Sequence, residues 1–226
     1  MKLPATLFPL IALIAFGPQL AEARIGLSAP QTLLAQQDRP NIATYTWPDE
    51  RPVVPLEAEI RTEEYDGFPE TSAVFTSGNF QFYFRISSGL SVASNREGTS
   101  SRLVNRLMPE NSLDLYLFQA GAFLPAVNDT TLHGYQLGLK EQHEEDIVID
   151  EEADRIPRKT FSVLGNQWGL IRYTLVEDGK ENAFVEYFVP LPGHLLVLRL
   201  RGTDSFVTGM MPRVTRSLST LAMGEP

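Results

Sequence analysis

The sequence predicts an α+β domain in which an antiparallel β-sheet has helices on both faces. Three observations lead to this fold class: apolar side chains alternate over residues 80–86, an Asp-Gly pair separates two apolar runs at 178–179, and apolar residues near the C-terminus recur at helical spacing. The run 183–189 is apolar on both strand faces, which indicates cover on both sides of the sheet. We therefore expect a single domain at 57–226 built around this sheet.

The composition excludes several classes of protein. The chain has 226 residues, with 19 Lys and Arg against 28 Asp and Glu, which gives a formal net charge of −9. This acidity argues against nucleic-acid binding, because contacts to phosphates usually need a basic surface. Cysteine is absent, which excludes disulfides, thiolate nucleophiles and cysteine-ligated metal sites.

The first 23 residues have the organisation of a cleaved signal peptide. Lys2 precedes an apolar core at 7–16, and Ala21-Glu22-Ala23 supplies the small residues that a signal peptidase accepts before a cut at Arg24. The core is too short to cross a bilayer of about 30 Å as a helix, so no membrane span is expected after cleavage. An uncleaved anchor is the alternative. We expect a periplasmic or secreted protein, and the lack of cysteine is typical of a bacterial one.

Residues 24–56 are predicted to form a flexible, Pro-rich arm. Five prolines fall between residues 30 and 55, and no apolar periodicity lasts beyond a few residues. Proline removes an amide donor and restricts the residue before it, so the segment is expected to be extended. Trp47 is either a docking residue for a partner or, as we favour, packed back on the domain.

Alternating apolar residues predict the first strands of the folded part, at 80–86, 113–117 and 135–139. Between the first two strands we expect a short helix capped at Thr99 or Ser100. The apolar face of this helix would consist of Leu103, Val104 and Leu107.

The last third of the chain predicts a three-stranded antiparallel meander. Strands at 167–176 and 183–189 flank Asp178-Gly179, which is a strong hairpin signal because glycine reaches positive φ without a steric cost. Pro192-Gly193 then reverses the chain into a third strand at 195–201. Whether the first of these loops has two or three residues stays open at this point, and it decides which residues face each other across the strands.

A helix capped by Thr203 or Asp204 is predicted to follow the meander. Its apolar residues recur at spacings of three and four, namely Phe206, Val207, Met210, Val214, Leu218 and Leu221. Pro212 falls inside this pattern and removes one helical hydrogen bond. Two short helices, or one helix kinked at Met211-Pro212, would satisfy both observations.

The order of these elements resembles the PsbP-like family over residues 80–221. The resemblance rests on the strand 80–86 with the turn Ser88-Gly89-Leu90, on the meander through Tyr187-Phe188-Val189-Pro190 and 194–200, and on a final helix ending Thr215-Arg216-Ser217-Leu218. It implies an α/β/α sandwich. It also implies a binding or assembly factor, because members of this family are mostly such factors and not enzymes. Fold alone assigns no partner.

An acidic run between residues 141 and 154 is the most conspicuous feature of the composition. It contains Glu141, Glu144, Glu145, Asp146, Asp150, Glu151, Glu152 and Asp154. The seven acids from Glu144 onward could supply the oxygen ligands that Ca²⁺ prefers, although the glycine-containing spacing of an EF-hand is missing. We favour a second interpretation, in which the acids flank an apolar edge strand at 147–149 and keep it soluble. Docking of a basic partner is a third alternative.

No catalytic residue is identified. His143 stands beside Glu144 as in half of a zincin helix, but position 147, where the second histidine belongs, is Ile. No serine stands in a Gly-x-Ser-x-Gly elbow, and no glycine-rich loop for a nucleotide follows a strand. We therefore expect no cofactor beyond the Ca²⁺ alternative.

Four charged residues lie on the predicted meander, namely Arg172, Glu186, Arg199 and Arg201. They would form either an anion-binding patch or, as we favour, cross-strand pairs in which Glu186 on the middle strand lies between the arginines.

These observations favour an exported, non-enzymatic binding or assembly factor of the bacterial periplasm or envelope, with a protein partner and no nucleic acid. The alternative is an envelope hydrolase whose catalytic residues the sequence does not identify. A deep cleft with a buried carboxylate or histidine of shifted pKa would favour the hydrolase.

Overall fold

The computed structural model describes residues 43–47, 53–86, 90–94, 100–105, 107–151 and 162–224. The predicted signal peptide at 1–23, and all of the predicted arm at 24–56 except 43–47 and 53–56, lie outside the described residues.

The described elements follow one another in a strand-rich order. They are β1 (Val53–Val54), β2 (Glu57–Tyr65), β3 (Phe68–Ser77), β4 (Phe80–Arg85), β5 (Leu90–Ser94), β6 (Ser101–Asn105), β7 (Met108–Gln119), α1 (Asp129–His143), a 3-10 turn (Glu144–Asp146), β8 (Ile147–Ile149), β9 (Gly169–Glu177), β10 (Lys180–Leu191), β11 (His194–Gly202), α2 (Asp204–Leu218) and β12 (Ala222–Met223). The fold is therefore mostly β-strand with two α-helices among the described residues.

Two antiparallel sheets account for these strands within the described ranges. The larger sheet has eight strands in the order β5-β6-β7-β11-β10-β9-β8, and β1 also pairs with β7. The smaller sheet has four strands in the order β12-β4-β3-β2. The predicted strands at 80–86 and 113–117 correspond to β4 and β7, which lie in different sheets.

The loop between β9 and β10 has two residues, because Glu177 pairs directly with Lys180. Asp178 and Gly179 both have positive φ, 52° and 73°, as a type I′ hairpin turn requires. This turn sets the register that the sequence left open, and it places Ile171 opposite Glu186.

Helix α1 occupies the region predicted as a strand at 135–139, so that prediction was wrong. Asn128 and Thr131 form a capping box in which the Thr131 amide donates to Asn128 Oδ1 at 3.0 Å and the Asn128 amide donates to Thr131 Oγ1 at 3.1 Å. Leu132, Tyr135 and Leu139 are buried at helical spacing. Tyr135, Leu137 and Leu139 alternate with Gln136 and Gly138, and this imitated a strand because a short apolar stretch fits both periods.

The predicted short helix after residue 99 was also wrong. Ser101–Asn105 is strand β6, and Leu103 on it lies opposite Leu113 of β7 with both side chains buried. Pairing with β7 thus overrides the local helical spacing of Leu103, Val104 and Leu107.

Helix α2 is one continuous helix that contains Pro212, so the alternative of two short helices was wrong. Thr203 caps it, since its hydroxyl accepts from the Phe206 amide at 3.4 Å. The buried face of the helix consists of Val207, Met211, Val214 and Leu218.

The larger sheet buries a different set of side chains on each face. Val185 and Tyr187 of β10 belong to the cluster that includes α2 and the smaller sheet. Phe184 and Phe188 of the same strand belong to the cluster that includes α1. Because successive strand residues point to opposite faces, the two helices pack on opposite sides of β10.

Candidate functional site

Four charged residues stand side by side across neighbouring strands on the α1 face of the larger sheet. In register, Arg102 of β6 faces Asp114 of β7, Asp114 faces Arg199 of β11, and Arg199 faces Glu186 of β10. We call these four residues the charged row. Its signs alternate along the row, so each neighbouring pair is attractive.

The charged row contains two short ion pairs, Arg102 with Asp114 and Arg199 with Glu186. Arg102 holds Asp114 with two hydrogen bonds, from Nε to Oδ1 at 2.5 Å and from Nη2 to Oδ2 at 3.1 Å. Arg199 donates from both Nε and Nη2 to Glu186 Oε1 at 2.6 Å. Such charge-assisted bonds are stronger than neutral ones and hold the arginine side chains in place.

Glu186 is the most deeply buried member of the row, with 0% exposure. Its Oε1 also accepts a hydrogen bond from the Tyr173 hydroxyl at 3.0 Å. Its Oε2 and the Tyr135 hydroxyl are both buried without a hydrogen-bond partner among the described residues. A buried carboxylate is costly unless it is paired, so Arg199 and Tyr173 are the groups that stabilise it.

The pKa values around Glu186 reflect burial and this carboxylate. Burial raises the pKa of Tyr135 and of Tyr173 well above the usual value, and the negative charge of Glu186 raises them further. Burial by itself would lower the pKa of Arg199, but attraction to the Glu186 carboxylate outweighs it, so the pKa is raised. Both tyrosines therefore remain neutral, and Arg199 remains charged, in the folded state near neutral pH.

Trp47 packs against Arg199, one member of the charged row. The Arg199 guanidinium carbon lies 3.8 Å from the centre of the Trp47 ring, which is a cation–π contact. The Trp47 ring also packs edge-on against Tyr116, Phe118 and Phe123, with centroids 4.9, 5.7 and 5.3 Å away. Trp47 is thus packed on the domain, as favoured from the sequence.

The segment 43–47 that carries Trp47 lies along α1. The Tyr45 amide donates to the Gly134 carbonyl at 3.2 Å. A Cβ at Gly134 or at Gly138 would collide with the backbone of this segment, at the carbonyl oxygens of Ala43 and Tyr45 respectively. Glycine at these two positions is therefore what allows the close approach.

The predicted charge pairing on strands β9 to β11 is only partly realised. Among the described residues, Arg199 is the one ion-pair partner of Glu186, because Ile171 stands opposite Glu186 on β9. Arg201 pairs with Glu177 at 2.7 Å. Arg172 lies on the α2 face of the sheet, 2.6 Å from Asp204 and 3.7 Å from Asp150. The expectation that Glu186 lies between arginines of both neighbouring strands was therefore wrong for Arg172.

The acidic run surrounds strand β8, which is an edge strand of the larger sheet. Glu144–Asp146 forms the exposed 3-10 turn before it, Glu151 is exposed after it, and Val148 within it is 69% exposed. Glu152 and Asp154 lie outside the described residues. Within the described ranges, no group of three or more His, Asp or Glu side chains is arranged to hold a metal ion. The Ca²⁺ hypothesis remains a prediction.

The three histidines lie apart from the charged row. His133 is an exposed residue of α1, and His143 ends the same helix. His194 begins β11, with Nδ1 3.1 Å from the Pro192 carbonyl oxygen and its ring 4.2 Å from that of Phe80. In the part of the chain that the structure describes, no histidine is hydrogen-bonded to a serine or a carboxylate.

A polar cavity of about 630 Å³ lies beside the charged row. It is lined by Arg102, Pro109, Glu110, Ser112, Glu177, Asp178, Lys180, Asn182 and Arg201. Ser112 and Arg201 face each other in register two residues beyond Asp114 and Arg199, so they share the face of the charged row. Glu186 does not line this cavity.

Sequence reasoning missed Arg102 and Asp114. The signal for Asp114 was present, because a carboxylate inside the apolar alternation of Leu113, Leu115 and Leu117 needs a cationic partner when it is buried. The identity of that partner depends on the pairing of β6 with β7, which the predicted helix at this place excluded.

Among the described residues, no helix is both long and apolar enough to span a membrane.

Comparison with known proteins finds similar solved structures. No protein-family model and no curated protein matches this sequence. The structure is similar to the solution structure of cyanobacterial PsbP (CyanoP) from Synechocystis sp. PCC 6803, with 11% sequence identity and a TM-score of 0.44. The match covers 76% of this chain and 94% of that chain. The name of that protein is that of the family which residues 80–221 resemble in sequence.

Proposed function

We propose that this chain is an exported, non-enzymatic binding or assembly factor of the bacterial periplasm or envelope, and that it docks a protein partner. The observation that carries the proposal is an exposed apolar pair beside the polar cavity. Leu107 and Met108, at the turn between β6 and β7, are 90% and 50% exposed, and Pro109 and Glu110 directly after them line the cavity.

The composition of this surface supports a protein partner. Large apolar side chains are usually buried, and when exposed beside polar groups they mark interaction sites. Methionine and arginine are enriched in protein interfaces, and here Met108 adjoins a cavity that contains Arg102 and Arg201. An apolar contact with a polar rim is the usual organisation of such an interface.

Ion pairs order two arginine side chains of the cavity in the unbound protein. Arg102 is fixed by Asp114 and Arg201 by Glu177, each through a short ion pair. Side chains that are already ordered lose less conformational entropy on binding, which favours affinity. The packing of α1 and α2 against opposite sides of β10 supports an α/β/α sandwich as the framework of this surface.

Site-specific photo-crosslinking in the producing cell tests the proposal. A photoreactive amino acid at position 107 is expected to give a discrete adduct in the envelope fraction. The same amino acid at Val148, which is also exposed but lies on β8, is the matched control and is expected to give none. In a second arm, Met108→Asp is expected to abolish the adduct formed from position 107.

Two outcomes would contradict the proposal. The first is an equal adduct pattern from positions 107 and 148, which would indicate unspecific contact. The second is turnover of an ester, amide or glycoside substrate by the purified protein, which would favour the hydrolase alternative. Export is tested separately by the N-terminal sequence of the cellular protein, which is expected to begin at Arg24.

A further inference from the structure

A second cavity, of about 450 Å³, is lined by Arg85, Ile86, Arg213, Arg216, Ser217 and Thr220. We call it the arginine groove. It brings together three guanidinium groups from β4 and α2 in a chain whose formal net charge is −9. None of the described residues that line it is acidic.

Helix α2 presents three polar groups to the groove from one of its faces. Arg213, Arg216 and Ser217 are spaced by three and four residues, so they are neighbours on the helix surface. Both arginines are exposed, and neither guanidinium has an ion-pair partner in the described part of the chain.

These arginines are not needed to cap the helix. Arginine near a helix C-terminus commonly hydrogen-bonds the last free carbonyl groups. Here the Ser219 amide donates to Thr215, and the Thr220 and Leu221 amides donate to Ser217 and Leu218. The Ser219 hydroxyl donates to the carbonyl of Arg216 at 2.7 Å. Because the last carbonyls already have donors, both guanidinium groups remain available to a ligand.

The opposite wall of the groove, at the end of β4, is hydrogen-bonded to the segment that follows α2. The Arg85 amide donates to Thr220 Oγ1 at 2.9 Å, which joins the end of β4 to the end of α2. The Arg85 side chain pairs with Glu70 at 2.9 Å. One carboxylate therefore compensates one of the three guanidinium groups, and within the described ranges the other two have no compensating carboxylate.

We propose that the arginine groove binds a phosphate group, carried either by a soluble phosphate ester or by a phospholipid headgroup. A phosphate monoester is close to a dianion at neutral pH, which matches the two uncompensated charges. Its several acceptor oxygens suit the fork of donors on each guanidinium, together with the Ser217 hydroxyl. The site is separate from the surface around Leu107 and extends the proposed function.

Titration calorimetry on the purified protein tests this site, with inorganic phosphate and glycerol phosphate as soluble probes. Arg213→Gln and Arg216→Gln are each expected to weaken binding by about tenfold or more, because each removes a charge-assisted contact. Lys140→Gln is the matched control, since it removes one positive charge from an exposed position of α1. It is expected to leave the affinity unchanged. The thermal midpoint of each variant checks that it is folded.

Flotation with vesicles distinguishes the two sources of the phosphate. Binding to vesicles that contain phosphatidic acid, whose headgroup is a phosphate monoester, but not to phosphatidylcholine vesicles, lost in Arg213→Gln, assigns a headgroup. Binding of glycerol phosphate without flotation assigns a soluble ester.

Three results would overturn the proposal, and none of them affects the crosslinking at position 107. The first is no binding of any phosphate probe at millimolar concentration and low salt. The second is an equal loss of affinity in Lys140→Gln and Arg213→Gln, which would indicate a general effect of charge. The third is tighter binding of an acidic octapeptide of glutamate than of the phosphate probes, which would assign the groove to an acidic protein segment.

Discussion

Glu186 on β10 and Arg199 on β11 stand directly opposite each other, with Arg199 Nη2 2.6 Å from Oε1 of a fully buried carboxylate. The Arg199 guanidinium packs on Trp47, and the pair ends the charged row on the α1 face. The carboxylate is more deeply buried than the guanidinium. Removal of Arg199 therefore leaves a fully buried charge without its partner, whereas removal of Glu186 leaves a charge that is partly exposed.

We expect Arg199→Met to destabilise the fold by about 3 to 5 kcal/mol, because it leaves the charge of Glu186 buried without its ion-pair partner. Urea unfolding measures this loss. The double variant Glu186→Gln/Arg199→Met is expected to be more stable than Arg199→Met alone, since no uncompensated charge remains. A double variant less stable than the single one would contradict this account.

Gly138→Ala is expected to destabilise the fold by about 1 to 3 kcal/mol, because the new methyl group would collide with the carbonyl of Tyr45 on the segment 43–47. Unfolding in urea and protease cleavage at this segment are the measurements. Gly209→Ala on α2 is the matched control, because a Cβ there meets open space. It is expected to stabilise the protein by about 0.5 to 1 kcal/mol through helix propensity. Equal effects of the two substitutions would show that the close contact between Gly138 and the segment 43–47 does not contribute to the free energy of unfolding.

Pro212→Ala is expected to stabilise the protein by about 2 kcal/mol. Pro212 cannot donate to the carbonyl four residues earlier, at Thr208, and alanine restores this bond at an exposed position. Part of the gain is offset because proline also restricts the unfolded chain. Thermal unfolding checks the prediction, and a lower midpoint would mean that the proline serves the packing of α2.

The stability of the protein is expected to fall as the pH rises above 10. The unfolded chain releases tyrosine protons near the usual pKa of 10, whereas Tyr135 and Tyr173 hold theirs in the folded state because their pKa values are raised. The unfolding free energy then decreases by about 1.4 kcal/mol per pH unit for each such tyrosine. Urea unfolding at a series of alkaline pH values measures the slope.

Tyr135→Phe isolates one of these groups. Its hydroxyl has no hydrogen-bond partner among the described residues, so its removal is expected to change the stability at pH 7 little. Above pH 10 the variant should lose stability less steeply than the parent protein. Identical slopes would mean that Tyr135 does not remain protonated in the folded state.

Ca²⁺ and its chelation are expected to leave the thermal midpoint unchanged. The acids described around β8 are mostly exposed, and Asp150 already lies 3.7 Å from Arg172. A cation that binds only the folded state would add about 2.7 kcal/mol of stability at a hundredfold excess over its dissociation constant. A clear rise in the midpoint with Ca²⁺ would therefore establish the acidic run as a cation site.

Local sequence signals were sufficient to predict those elements that depend on a few neighbouring residues. The alternation over 80–86 predicts β4, and Asp178-Gly179 predicts the turn between β9 and β10. The same type of signal at Asp66-Gly67, where both φ values are positive, would have predicted the hairpin of β2 and β3, which was missed. Strand period and turn chemistry are set by neighbouring residues, so a sequence displays them directly.

The sequence by itself determined the turn at Asp178-Gly179, the cap of α2 and the place of the acidic run, because these depend on side chains close together in the chain. Only the tertiary structure decided which strands pair, and with it the partners of each charge. Asp114 lies 85 residues before Arg199, and their juxtaposition requires β7 to pair with β11. The same holds for Trp47, which reaches Arg199 only because Gly134 and Gly138 let its segment lie against α1. Contacts between distant segments follow from packing of whole elements, and no local pattern encodes them.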